Sequence, residues 1–295
     1  MLKDTQNSPD DRNIPINKVG ICDLRHPLVV MDRAQKQQHT IGVFSMSVDL
    51  PGDIKGTHMS RFLEVLNRHH GELNMATLPQ ILEEMRTHLE AESAQLGVKF
   101  PYFIERVAPV SGAAALLDYE VEYFGEASAE RQNAHLRVTV PVKTLCPCSK
   151  AISDYGAHNQ RGYVSMEVEC ERTASGLPQM IWIEELVDVA EQSASAPLYP
   201  LLKRPDERHV TMQAYDNPVF VEDLSRNVAK LLMADKRIAS FKVGVVNQES
   251  IHNHNAFAEI CWNRHAEREQ TQAASKARAN GNGRTRRGTA AAPIQ

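Results

Sequence analysis

The chain has 295 residues, 42% hydrophobic and 24% charged, with a formal net charge of −4. That is the profile of a globular protein long enough to bury one large or two ordinary cores. The slightly negative balance gives no reason to expect nucleic acid as a general partner. No run approaches the roughly eighteen apolar residues of a membrane span, so no membrane partner is expected either. The five cysteines (Cys22, Cys146, Cys148, Cys170, Cys261) are odd in number and irregularly spaced. They argue for a reducing compartment rather than a disulfide framework, and the polar start (Asp4, Gln6, Asn7) is not that of a signal peptide. A cytoplasmic protein is expected.

Residues 1–15 are polar and aperiodic, and the whole stretch 1–37 is expected to be mostly disordered or extended. Alternation over residues 40–50, closed by Pro51-Gly52, predicts a strand. Phe62, Leu63 and Leu66 share one helical face over residues 59–69. Thr77-Leu78-Pro79-Gln80 reads as a capping box with proline in the first turn. The helix it opens carries Leu78, Ile81, Leu82, Met85 and Leu89 in one stripe. Strands follow at Tyr119, Val121 and Tyr123, and at Leu136, Val138 and Val140. In the second half Val164, Met166 and Val168 alternate, and Leu186, Val187 and Ala190 mark a helix. Asn217-Pro218 opens another with Val221, Leu224, Val228 and Leu231. Phe241, Val243 and Val245, then Phe257, Ala258 and Ile260, close with two strands.

Strand, two helices and paired strands thus occur twice, which points to duplicated α+β modules rather than a parallel α/β sheet. The expected modules are residues 38–160 and 161–265. From Ala273 onward Lys276, Arg278, Arg284, Arg286 and Arg287 stand among small residues with no acidic one. Residues 266–295 are expected to be a disordered basic tail, too poor in apolar surface to offset their ordering entropy.

Three polar clusters carry the chemistry. The first is Leu145-Cys146-Pro147-Cys148-Ser149-Lys150, followed by Asp154-Tyr155-Gly156-Ala157-His158-Asn159-Gln160-Arg161. Thiolate and neutral imidazole suit zinc and similar borderline metals, and a glycine-bearing loop lets the histidine fold back toward the thiol. Against this, free cysteines are usually small buried hydrophobes, a reading that fits Cys148 better than Cys146. The second cluster is Leu201-Leu202-Lys203-Arg204-Pro205-Asp206-Glu207-Arg208-His209, which alone reads equally well as a solvated charged loop. The third is Asn247-Gln248-Glu249-Ser250-Ile251-His252-Asn253-His254-Asn255. A His-x-His in a strand sends both rings to one face, whereas in a loop that logic fails.

Together these strings, with Gly56-Thr57-His58-Met59-Ser60-Arg61-Phe62, resemble the type IB GTP cyclohydrolases from about residue 38 to residue 262. The resemblance implies a bimodular tunnel fold, in which antiparallel sheets associate into barrels with helices outside. It further implies a homo-oligomer, a tetramer, with active sites at module or subunit interfaces. The implied reaction is hydrolysis of GTP to 7,8-dihydroneopterin triphosphate and formate, the entry to tetrahydrofolate-type pterins, by water attack at purine C8.

The implied metal ligands are Cys146, His158 and Glu207, which leave an open position for water. A single thiolate beside a carboxylate makes such a site tolerant of Mn or Fe as well as Zn. Cys148 is a competing ligand, expected not to bind. Glu249 matches the glutamate that anchors the guanine edge. His252 matches the proton-shuttling histidine, since an imidazole near pKa 6.5 both gives and takes protons at neutral pH. His254 is expected only to support it. Lys55, Arg61, Lys203 and Arg204, with His58, Lys150 and Arg161, are candidates for the triphosphate. The alternatives are an archaeal-type relative yielding a cyclic phosphate, a tunnel-fold nitrile reductase with a cysteine nucleophile, and a non-catalytic module with a closed structural metal site.

Overall fold

Eight segments alternate buried and exposed residues along their length, and all eight join one antiparallel sheet in sequence order. The computed structural model describes residues 5–69 and 73–266; the expected basic tail lies outside them from residue 267 onward. The first half runs β1 (Ile16–Asp32), β2 (Lys36–Leu50), α1 (Met59–Arg68), α2 (Leu78–His88), β3 (Ser93–Val107) and β4 (Ala114–Ser128). The second runs β5 (Gln132–Leu145), α3 (Pro147–Ile152), β6 (Asn159–Cys170), α4 (Ile183–Ser193), α5 (Arg204–Asp216), α6 (Val221–Ala234), β7 (Ile238–Gln248) and β8 (Ala256–Asn263). Hairpin, helices, hairpin is therefore repeated, with α3 and α5 added in the second half. The α+β duplication expected from the sequence pattern is present. No helix among the described residues is long and apolar enough to cross a membrane.

The repeat divides between β4 and β5. The expected boundary at residue 160 falls inside β6 instead. β1 lies within the stretch 1–37: it is extended, but paired with β2 along most of its length. Its alternation is hard to see because register shifts at Ile16/Val19 and Ile21/Leu24 interrupt the pairing. The expected capping box at Thr77 is not formed, because Thr77 itself has helical backbone angles and makes no cap bond. Asn74 takes that place; its Oδ1 accepts from the amides of Ala76 (2.9 Å) and Thr77 (3.1 Å).

Helices cover one face of the sheet. Leu78, Ile81, Leu82 and Met85 of α2 pack into a continuous core with Val98, Val121 and Leu136, and Leu224, Val228 and Leu232 of α6 do the same against Val243 and Val245. Leu63 and Leu231 stay exposed, and Val65 and Leu232 take the core positions instead. Each fully buried side chain of this size contributes about 1.5–3 kcal/mol.

Polar contacts tie the halves together. Arg106 of β3 donates to Glu191 of α4 (2.7 Å) and to the hydroxyl of Tyr119 (2.8 Å). Burial pushes the Glu191 carboxyl above the ordinary range, against the pull of Arg106. Asp206, wholly inaccessible at the start of α5, accepts from the amides of Val110 and Ser111 (2.8 Å each), the Ser111 hydroxyl (2.6 Å) and the Lys203 amide (2.8 Å). The β3–β4 turn of the first half thereby pins the start of a second-half helix.

Candidate active site

The site begins as a matter of strand register. Lys143 pairs with Arg161, and Arg161 with Gln248, so the ends of β5, β6 and β7 lie side by side. Thr144 pairs with Gln160, and Gly162 with Asn247. Opposed residues share a face and side chains alternate along each strand. Cys146, His158 and Glu249 continue that parity by one step, on the helix-covered face. A Cβ added at Gly162 would lie 2.8 Å from Asn247 Oδ1, so any larger residue there would have to displace that side chain.

Local bonds fix the cysteine segment. The Cys146 amide donates to the His158 carbonyl (3.1 Å), which closes the loop between them. Pro147 opens α3, and the Ser149 amide donates to Cys146 Sγ (3.4 Å). Cys146 is half-buried, whereas Cys148 is exposed. Lys150 donates to the Tyr215 carbonyl and lies 4.2 Å from the centre of its ring. The last turn of α5 is thus held against the cysteine segment.

A polar cluster lies at the adjoining ends of β6 and β7. His158 Nδ1 lies 3.0 Å from Gln160 Oε1, and Gln160 Nε2 donates to Glu249 Oε1 at 3.5 Å. His158 and Glu249 side chains are each 12% exposed, with Nδ1 and Oε2 3.8 Å apart. The His252 ring stands edge-on to His158 at 6.5 Å between centroids and stacks on His254 at 5.0 Å. Both lie in the loop after β7, so they stack through loop geometry and not through strand alternation.

The other expected site residues stand elsewhere. Glu207 is exposed in the first turn of α5, where Asp206 anchors the helix. Along the helix it is eight residues before Tyr215, about 12 Å at 1.5 Å per residue. Lys203 and Arg204 are exposed at the same helix start. Lys55 is exposed ahead of α1, and its amide donates to the Ser8 carbonyl (3.1 Å). Arg61 donates to the His88 carbonyl (3.2 Å) and to Glu90 (3.4 Å), bracing α1 against the end of α2.

Among the described residues no three His, Cys, Asp or Glu gather closely enough to hold a metal. The donor chemistry nonetheless suits a cation at two points. Cys146 offers sulfur, and His158, with Nδ1 engaged by Gln160, leaves Nε2 open. Glu207 is the donor not gathered with them.

Two residues that matter here were not singled out by sequence reasoning. Asp206 had a readable signal, because a carboxylate just inside a Lys-Arg-Pro helix start is a capping pattern. Gln160 had none, since its role depends on which strands neighbour β6.

The sheet with helices on one face defines the class. A hyperthermostable mutant of Bacillus sp. TB-90 urate oxidase superposes with a TM-score of 0.50 at 11% identity, over 85% of this chain and 99% of that one. At that identity the likeness concerns the fold alone, and the fold is the tunnel fold. A family model described as type I GTP cyclohydrolase folE2 matches residues 2–258. GTP cyclohydrolase FolE2 of Methylococcus capsulatus is 50% identical over 259 residues, 88% of this chain and 94% of the relative. Its counterpart in Thermosipho africanus is 47% identical over 257 residues, 87% of this chain and 96% of that one. The chain belongs to the type I GTP cyclohydrolase folE2 family.

Proposed function

We propose that this protein is a GTP cyclohydrolase of the type IB kind, converting GTP and water to 7,8-dihydroneopterin triphosphate and formate. The observation that supports this most is the convergence of Cys146, His158, Glu249 and His252 at the ends of β5, β6 and β7. Family membership supplies the substrate, since every relative named above is a GTP cyclohydrolase.

In this reading Glu249 accepts hydrogen bonds from guanine N1–H and the 2-amino group, a pattern adenine does not present. His252 takes a proton from the attacking water and returns it to the ring nitrogen that leaves C8. An imidazole does both near neutral pH. The first hydrolysis opens the imidazole ring of the purine, the second frees formate, and ribose rearrangement with ring closure builds the pterin. His254 supports the His252 ring by stacking. Lys55, Lys203 and Arg204 carry the triphosphate, and Arg61 joins them on releasing Glu90.

Cys146 and His158, with Glu207 as third donor, would hold a divalent cation (Zn, Mn or Fe). When bound, it supplies the Lewis acidity that makes hydroxide available near neutral pH. The functional unit is a homo-oligomer, a tetramer, built through the sheet as tunnel folds are.

The test is incubation of metal-reconstituted protein with GTP. Formate and an oxidisable, fluorescent pterin triphosphate are expected. A folded, metal-loaded protein that releases neither refutes the reading, and a cyclic phosphate product reassigns it to the archaeal-type reaction.

A further inference from the structure

We infer that Gln160 is the positioning residue that joins the metal-binding and guanine-binding halves of this site, an inference that rests on the function proposed above. Its amide is in contact with both His158 (3.0 Å) and Glu249 (3.5 Å). The direct His158–Glu249 separation, 3.8 Å, is too long for a hydrogen bond. Gln160 is therefore the residue whose hydrogen bonds bridge the two halves, beside a direct approach of the imidazole to the carboxylate that is electrostatic only.

The chemistry of an amide makes this contact directional. Gln160 has one acceptor end and one donor end. A carboxylate only accepts, so the NH2 end must face Glu249, and Oε1 is left facing His158. Oε1 can only accept, which places the hydrogen of the neutral His158 ring on Nδ1. The Nε2 lone pair is then free for a cation, and the ring cannot turn without losing its partner. At the other end the same amide donates to Oε1 and restrains Glu249, while both carboxylate oxygens keep a lone pair for the guanine edge. Strand geometry explains why residue 160 does this: on β6 it lies two residues past His158, on the same face, opposite Thr144. An asparagine is one methylene too short to span the gap.

Two substitutions separate the two ends. Gln160→Glu keeps the length and keeps an acceptor for His158 Nδ1–H, but sets a like charge against Glu249. Gln160→Met keeps the approximate volume and removes both bonds. The probes are Zn²⁺ affinity, measured by competition with a chromophoric chelator, and the KM and kcat for GTP, with thermal melts to verify folding. Gln160→Met should lower Zn²⁺ affinity about 10–100-fold, the usual effect of losing an outer partner of a ligating histidine, and should also raise KM. Gln160→Glu should hold Zn²⁺ within a few-fold of wild type while KM for GTP rises about tenfold or more, the scale of one mispaired buried group.

Two patterns overturn the inference: both variants matching wild type, or both losing metal and GTP to the same extent, which would make residue 160 a packing element only. If the wild-type protein itself neither takes up Zn²⁺ nor turns over GTP, the proposed function fails first, and that outcome is distinct from either pattern.

Discussion

Replacing Glu249 by glutamine is the sharpest test of the guanine pocket. The side chain is only 12% exposed, so its partners are largely desolvated. Gln160 Nε2 already donates to one oxygen, and guanine would bring two further donors to the carboxylate. The substituted amide has a single acceptor end, so at least one guanine donor then faces an NH2 group, and Gln160 Nε2 does too if that end turns away from it. An unmet buried donor costs about 1–3 kcal/mol, so the total is about 1–6 kcal/mol. At about 1.4 kcal/mol per decade, kcat/KM for GTP should fall by between about 5-fold and about 10⁴-fold. Metal content should stay at the wild-type level, because Glu249 is not among the proposed ligands. Wild-type enzyme should discriminate against inosine triphosphate, which lacks the 2-amino donor, and Glu249→Gln should narrow that gap. Steady-state formate release with both nucleotides measures each quantity. Unchanged GTP kinetics in a folded, metal-loaded variant would remove Glu249 from the pocket.

Four further outcomes are expected. Cys146→Ala should abolish turnover and release metal while Cys148→Ala retains more activity; equal metal loss in the two variants would reassign the site to a Cys-x-Cys pair. His252→Ala should keep metal at near wild-type stoichiometry yet slow GTP turnover about 10²–10⁴-fold, whereas Glu207→Ala should lose metal and activity together; metal analysis of both purified proteins decides between ligand and proton carrier. Arg106→Met leaves Glu191 buried with Tyr119 as its remaining hydrogen-bond donor and should destabilise the fold by about 3–5 kcal/mol in chemical denaturation, a loss below about 1 kcal/mol showing that the pair does not couple the halves. Burial of Asp206 opposes its charge, but donors from Ser111, Lys203 and Val110 outweigh that and hold the carboxyl well below the usual carboxylate range. Its stabilisation is thus fully present above the unfolded-state pKa of about 3.9 and is lost only as pH falls through the lower folded value. Amide protection factors at the start of α5, with the intrinsic pH dependence of exchange divided out, should be unchanged between pH 7 and pH 5 in wild type and lower in Asp206→Asn at both; equal protection in the two proteins would refute the anchor.

The parts of the fold legible in sequence are those where one face is buried from end to end. Val164, Met166 and Val168 of β6 and Phe241, Val243 and Val245 of β7 are all nearly inaccessible, so hydropathy alone showed them. β3 is harder to read because Phe103 and Val107, on the sheet face opposite its buried residues, are apolar yet exposed and blur the alternation. β1 is hard to read because its first half has no buried residue and register shifts interrupt its pairing. α5 opens on the run 201–209, which reads equally well, in sequence, as a solvated charged loop. Only Asp206, Val210 and Ala214 of its residues are buried, against a small separate core with Ala196, so it carries almost no apolar stripe. What makes it a helix is its start, where Pro205 and Asp206 satisfy the first turn, and not its composition.

The site divides along the same physical line. The residue types were legible, because a cysteine pair, a lone buried-loop histidine and a Glu-Ser-Ile-His-Asn-His string are unusual, yet which of them meet is a question of parity. β5, β6 and β7 pair with Lys143, Arg161 and Gln248 in one row. A slip of one residue in either ladder would send the opposite face of the strand toward the helices and leave Cys146, His158 and Glu249 on different sides of the sheet. The same counting separates the two thiols. Had the strand run on through Pro147, Cys146 and Cys148 would have shared a face; instead β5 ends at Leu145, Pro147 opens α3, and Cys148 turns out to solvent. Gln160 falls within the cluster only because β6 lies between β5 and β7, a neighbour relation that no local pattern encodes. Glu207 lies in a helix whose position is set from the first half, by the three donors that Val110 and Ser111 bring to Asp206, and so its place in the fold is not a local property of the Leu-Leu-Lys-Arg-Pro-Asp-Glu run.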